Sequence, residues 1–409
     1  MATAKLEPDH HGVQRHFDPH PNLQPMPMTD SPNTVQSWLA HLSLRRIITS
    51  NRFIPEVDGF RFIAILIVIV SHVYVQCGPV PGTGAFAQAF AFAFEDGKRG
   101  VYLFFTISGF ILALPFARHH LQEGNRVNVL SYFRRRLTRL EPPYVLAMLL
   151  RTPAVLFIKH TAIATVGIHL LATLFYVHSI VFAEYSTINP PAWSLEVEIQ
   201  FYLLAPLLTA IFMVRSKTGR RALMVAIILL SGILANTVIN PTGRLSFTLL
   251  YFFQYFMAGF LLCDFYLCGD NFSIPTWLYD LLGTAALVWI LFSRAPWYPV
   301  ALPFATLILY MAGFHGTVCR AIFSFRPISL IGGMCYSIYL THSTILTAMT
   351  PVVHRITASA LPVVVQFPLI FGSCCAAVLL IGTIYFVLIE RPCMDPAWPH
   401  KLAMKLRRA

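Results

Sequence analysis

Charge is scarce in this chain: 12% of its 409 residues are Asp, Glu, Lys or Arg, against 56% hydrophobic, and the mean hydropathy is +0.64. A soluble domain carries about 25% charged residues, so water is excluded as the main solvent. The eight cysteines, at 77, 263, 268, 319, 335, 374, 375 and 393, form no CxxC pair and no His/Cys ligand spacing. No metal is expected from them, and they read as small residues buried in or beside apolar segments. Residues 1–34 have no long apolar core, so no cleavable signal peptide is expected. That stretch reads as a disordered tail, in which His10, His11, His16 and His20 are solvated rather than ligands. Long polar stretches are missing after residue 60, which leaves no room for a separate soluble domain.

What is present is a succession of apolar runs, each long enough to cross about 30 Å of hydrocarbon. There are eleven: 60–76, 100–117, 142–159, 165–183, 197–214, 221–239, 247–268, 276–293, 298–318, 328–350 and 362–389. Before them, SWLAHLSLRRII (37–48) sets Trp38, Leu39, Leu42 and Ile47 against Arg45 and Arg46, the pattern of a short interfacial helix. The net charge of +12 could suggest nucleic acid, but its basic residues cluster between apolar runs, as cytoplasmic loops do. No nucleic-acid partner is expected.

The loops Arg118 to Arg139, Arg215 to Arg221 and Arg320 to Arg326, and the tail from Lys401, should therefore share one side of the membrane. Any two must be separated by an even number of crossings. Three candidates lie between Arg139 and Arg215, so one of 142–159, 165–183 and 197–214 must be re-entrant or interfacial. The expected fold is an all-α, polytopic transmembrane bundle of about ten spanning helices plus that exception. Residues 1–52 would form a cytoplasmic tail with the interfacial helix, 53–396 the transmembrane domain and 397–409 a basic cytoplasmic tail. Such a chain is a multi-pass protein of the plasma membrane with both termini inside.

Ionisable groups inside a span are costly and mark functional candidates. Arg61 and His72 are eleven residues apart, about 20° from three full helical turns, with a rise of ~16 Å. Asp58 falls about 40° to the other side, so the three make one polar stripe. His72 would lie ~18 Å deep, where a neutral imidazole could act as a general base. His342, in CYSIYLTHSTIL with Tyr336, Ser337 and Tyr339, would lie ~21 Å deep from the same side. The two histidines could meet, or His342 could serve helix packing. Glu196 and Glu198 begin a helix, where carboxylates cap; Glu198, with Tyr202 close by, could also orient His72. Arg136 and Arg139, at i and i+3 with Arg135 beside them, suit an anionic ligand, either nucleotide phosphates or lipid head groups.

Six segments in order resemble the integral membrane acyltransferase family 3: EVDGFRFIAILIVIVSH (56–72), GVYLFFTISGFIL (100–112), FRRRLTRLEPPY (133–144), PAWSLEVEIQFYLL (191–204), CYSIYLTH (335–342) and IERP (389–392). The resemblance runs from about 54 to 396. It implies ten core helices, a cytoplasmic acyl-CoA donor, acetyl-CoA by expectation, and an essential first-helix histidine with ten residues between it and a preceding basic one. Arg61 and His72 fit that spacing, Arg136 and Arg139 the family's Arg pair, and Glu198 the Glu of its Trp-Ser-Leu motif, behind Trp193 and Ser194. Glu196 and Ile199 depart from the family pattern. No fused C-terminal hydrolase-like domain is expected. The implied function is transfer of an acyl group to a hydroxyl of a carbohydrate, cell-envelope or secondary-metabolite acceptor. His72, Glu198 and Asp58 would be catalytic; Arg61, Arg136 and Arg139 would bind the donor; and Trp193, Ser194, Tyr202, Tyr339 and His342 would contact substrate. The rival reading is a proton-coupled transporter using Asp58, His72, Glu198 and His342 as a relay.

Overall fold

Apolar segments in lipid must bond every backbone N–H and C=O within themselves, which selects helices. The computed structural model describes residues 44, 46–47, 53–77, 85–158, 161–269, 274–400 and 404, and among them every regular element is helical. The order is α1 (Pro55–Cys77), α2 (Ala85–Phe94), α3 (Lys98–Leu121), α4 (Val129–Ile158), α5 (Ile163–Leu174) and α6 (His178–Phe182). A 3₁₀ turn, Pro190–Ala192, leads into α7 (Trp193–Leu208), followed by α8 (Lys217–Thr237), α9 (Leu249–Cys268), α10 (Thr276–Phe292) and α11 (Tyr298–His315). The short α12 (Val318–Ser324) and α13 (Arg326–Gly333) precede α14 (Cys335–Thr357) and α15 (Val363–Tyr385), which runs into a π-helical turn, Phe386–Glu390.

Among the described residues, seven stretches are long and apolar enough to cross a membrane: Pro55–Gln76, Lys98–Leu121, Pro190–Met213, Lys217–Thr237, Arg244–Cys268, Tyr298–His315 and Val364–Cys393. The expected count was about ten. Helices α4, α10 and α14 have 30, 17 and 23 residues, but the first holds arginines and three prolines, the second is short and the third carries histidines. The candidate at 165–183 breaks into α5 and α6, of 12 and 5 residues. Twelve residues rise only ~18 Å, short of the ~30 Å of hydrocarbon. The breaks fall where Tyr176 and Ala183 take left-handed backbone conformations, φ 58° and 57°. Of the stretch 37–48, only Leu44, Arg46 and Ile47 are described, none of them in a helix; the rest of the expected interfacial helix, the histidines at 10, 11, 16 and 20, and the tail from Lys401 apart from Met404 lie outside the described residues.

Helix α1 sits centrally, packed against α3, α13, α14, α12 and α15. Phe60 anchors it, stacked on Tyr310 at 4.3 Å and edge-on to Phe314 and Phe323. Helix α3 meets α9 backbone to backbone: a Cβ on Gly109 would strike the Phe256 carbonyl, and one on Gly259 the Thr106 carbonyl. Such close crossing suits membrane helices, where small residues let backbones approach. Pro142 has no N–H to give the Thr138 carbonyl one turn earlier; the Trp398 indole donates to it instead, at 2.9 Å. This ties the chain's last described turns to the arginine-bearing end of α4. The seven cysteines with described side chains are free thiols.

Replacing Gly259 by Leu should therefore lower the thermal unfolding midpoint of the detergent-purified protein sharply, by the overpacking cost of at least about 1–3 kcal/mol. Gly167→Ala, in α5 with open space around it, should leave the midpoint unchanged or slightly raised; equal effects would refute the α3–α9 contact.

Candidate functional site

The N-terminal end of α1 is built around one carboxylate. Asp58, 2% exposed, accepts from Arg46 at 2.7 Å and from Arg61, one turn further along the same helix. Arg136 and Arg139 on α4 face the same region, and Arg139 is 3.9 Å from Glu390 of the π-helical turn. Glu390 is fully buried and also accepts from the Ser337 N–H (3.1 Å) and hydroxyl (2.6 Å). Three guanidiniums thus share two buried carboxylates, and Arg136 lines the same cavities beside them. Burial, and next the Arg61 guanidinium, pull Arg46 below the ordinary arginine value against the opposing pull of Asp58. The surplus of like charge favours an anion.

Two cavities meet at this cluster. One, about 150 Å³, is lined by Arg46, Arg61, Arg135, Arg136, Arg139 and Met394. The other, about 120 Å³, shares Arg61, Arg136 and Arg139 and runs between α3, α4, α7 and α14 past Glu198, Tyr202, Tyr336 and Glu390 to Ser194 and Tyr339. Along its wall Glu198 accepts from Ser108 and Tyr202, both at 2.5 Å. The Arg136 guanidinium lies over the Tyr202 ring, 5.4 Å from its centroid. Ser194 and Tyr339 share a 2.6 Å hydrogen bond, and Tyr339 donates to the Pro191 carbonyl at 2.9 Å.

Beyond Tyr339 stand the two histidines. The His342 ring lies 5.5 Å from the Tyr339 ring and edge-on to His72 at 4.8 Å. His72 Nδ1 is 2.8 Å from the Val68 carbonyl and His342 Nδ1 is 2.7 Å from the Tyr339 carbonyl. A carbonyl oxygen can only accept, so in each neutral ring Nδ1 carries the proton and Nε2 presents its lone pair. His342 is buried and its Nε2 has no partner among the described residues. His72 is partly open, beside Gly97 at the start of α3, where a Cβ would approach its ring to 3.4 Å.

The expected stripe on α1 therefore exists but is divided. Fourteen residues separate Asp58 from His72, ~21 Å along the axis, and Asp58 holds arginines rather than the imidazole. Glu198 likewise has Ser108 and Tyr202, not His72, as its partners. Trp193 lines neither cavity; its ring packs on Phe252 (5.3 Å) and Phe105 (6.3 Å). Ser194, Tyr202, Tyr339, Arg61, Arg136 and Arg139 do line the inner cavity, of about 120 Å³. Sequence reasoning assigned no role to Arg46, Glu390 or Ser108. The first two had a signal, an arginine beside an apolar stretch and a carboxylate at the end of another, but no spacing tied them to α1.

A family model described as an acyltransferase domain matches residues 54–386. The O-acetyltransferase OatA of Staphylococcus aureus strain NCTC 8325 is 25% identical over 325 residues, covering 73% of this chain and 51% of the relative, and OatA of strain MRSA252 matches to the same extent. The chain thus spans about half the length of these curated relatives. No solved structure matches it.

Removing a buried charge partner costs about 3–5 kcal/mol. Asp58→Asn should lower the unfolding midpoint strongly, because it leaves Arg46 and Arg61 without their shared carboxylate. An unchanged midpoint by thermal unfolding in detergent would show that the arginines do not depend on Asp58.

Proposed function

The chain belongs to this acyltransferase family, and on that premise we propose that it is a membrane-embedded O-acyltransferase. It takes an acyl group, acetyl by preference, from cytoplasmic acyl-CoA and places it on a hydroxyl of a carbohydrate, cell-envelope or secondary-metabolite acceptor. It is an integral membrane protein; ten crossings, with α5–α6 as the non-spanning exception, put both termini and the arginine cluster on the cytoplasmic side of the plasma membrane.

The observation that carries this reading is the line from guanidiniums to imidazoles. Arg61, Arg136 and Arg139 are common to both cavities, so phosphates held there would send a thioester arm along the inner cavity toward Ser194 and Tyr339. Asp58 and Glu390 position these arginines, and Glu198 fixes Tyr202 in the wall. His72 Nε2 removes the proton of the acceptor hydroxyl, the hydroxyl oxygen attacks the thioester carbonyl, and the proton passes to the departing CoA thiolate. In the covalent variant, His72 Nε2 itself attacks the thioester carbonyl and expels the CoA thiolate; the acceptor hydroxyl, giving its proton to His342 Nε2, then attacks the acyl carbonyl, and the acyl–Nε2 bond breaks to free His72. The transporter reading is not favoured, because a relay has no need of a cavity floored by three guanidiniums.

His72→Ala should lower transfer from acyl-CoA by at least about 10²–10⁴-fold, the contribution of a positioned base; near-normal turnover would sink the proposal. After one turnover with labelled acyl-CoA, label retained on His72 selects the covalent route and its absence the direct one. Arg136→Ala and Arg139→Ala should each raise KM for acyl-CoA by about 10–100-fold, the loss of a charge-assisted hydrogen bond of about 1.5–3 kcal/mol. An unchanged KM would remove the phosphates from this cluster.

A further inference from the structure

A second group of titratable side chains lies away from this line, where α5 and α6 fold over the start of α7. His169 of α5, His178 of α6 and Glu184 after it each offer a ligand atom, and the three atoms lie within 4.8 Å of one another. His169 Nδ1 and His178 Nε2 face each other at 2.8 Å. The Phe182 ring packs on both imidazoles, at 4.4 and 4.8 Å.

A hydrogen bond between the rings would use one nitrogen of each, but it leaves the neighbourhood unsatisfied. His178 is fully buried, and its Nδ1 has no partner among the described residues. The next residue, Ser179, donates its N–H to Glu196 Oε2 at 2.9 Å, and the Ser179 and Glu196 side chains also interact with each other. The nitrogen without a partner is not the one that faces His169; His178 Nε2, His169 Nδ1 and the Glu184 carboxylate are the atoms that converge. Glu184 is paired with no lysine or arginine among the described residues, so a divalent cation between the three would meet a negative charge.

We propose that His169, His178 and Glu184 bind a divalent transition-metal ion of the zinc class. Mixed imidazole and carboxylate donors suit such ions rather than Mg²⁺ or Ca²⁺. Nitrogens about 2.0–2.1 Å from one ion stand about 2.9 Å apart at a right angle and about 3.4 Å apart at the tetrahedral angle. The facing nitrogens thus need to part by about half an ångström at most. The left-handed Tyr176 and Ala183 bracket α6, and such strained positions persist where surrounding structure over-determines them. The ion would clasp α5 and the α6 turn over the first turn of α7, which carries Ser194.

The test uses the full chain, purified without a polyhistidine tag and with His10, His11, His16 and His20 replaced by Ala, so that any metal retained is not counted from these histidines. After chelation and dialysis against Zn²⁺ alone, one equivalent should remain by elemental analysis, and Co²⁺ should give visible d–d bands. His169→Ala and His178→Ala should abolish both. Glu184→Gln, on an exposed residue that does not threaten folding, should weaken Zn²⁺ binding at least about tenfold. Absence of bound metal in the parent protein, or an affinity unchanged in Glu184→Gln, overturns the proposal. Neither result bears on transfer from acyl-CoA, whose residues are untouched.

Discussion

A single carboxylate, Asp58, holds Arg46 and Arg61 together inside the protein, and the arrangement of the arginine cluster depends on it. Burying guanidiniums is expensive unless they are paired, and here three of them converge on two acids. The pairing brings the segment before α1 against α1, and through Arg139 and Glu390 it brings α4 against the end of α15. Because the cations outnumber the acids, the cluster is held in place yet left with attraction to spare for an anion.

The same economy shapes the opposite end of the site. His72 and His342 come from helices far apart in the chain, and each ring is fixed by a carbonyl of its own helix, four and three residues earlier. Local bonding of Nδ1 settles the tautomer before any tertiary contact forms, and packing then brings the two Nε2 lone pairs into one neighbourhood. Between arginines and imidazoles the cavity wall is largely apolar, and its polar groups are bonded to one another, such as Ser194 with Tyr339 and Tyr202 with Glu198. A polar path through an apolar bundle is stable only when satisfied in this way.

Backbone demands explain the departures from regular helices. Pro142 frees a carbonyl that Trp398 recovers, and the π-helical turn at Phe386–Glu390 places a carboxylate against Ser337 and Arg139. The close crossing of α3 and α9 at Gly109 and Gly259 holds the helix bearing Ser108 firmly behind Glu198.

Sequence alone determined that the chain is helical and membrane-embedded, because hydropathy and run length act locally and additively. It also placed Arg61 with Asp58 and Arg136 with Arg139, since helical periodicity fixes which neighbours share a face. Parity of the basic loops led to the expectation that one of three segments fails to span; among the described residues only Pro190–Met213 of the three is long and apolar enough to cross, and 165–183 breaks at Tyr176 and Ala183, which no hydropathy sum contains. Tertiary structure alone decided that Asp58 serves the arginines and not His72, that Glu198 is bonded to Ser108, and that Arg46 and Glu390 belong to the site. The reason is physical: a buried charge takes its partner from whatever helix packs beside it, and that neighbour is set by the fold rather than by distance along the chain.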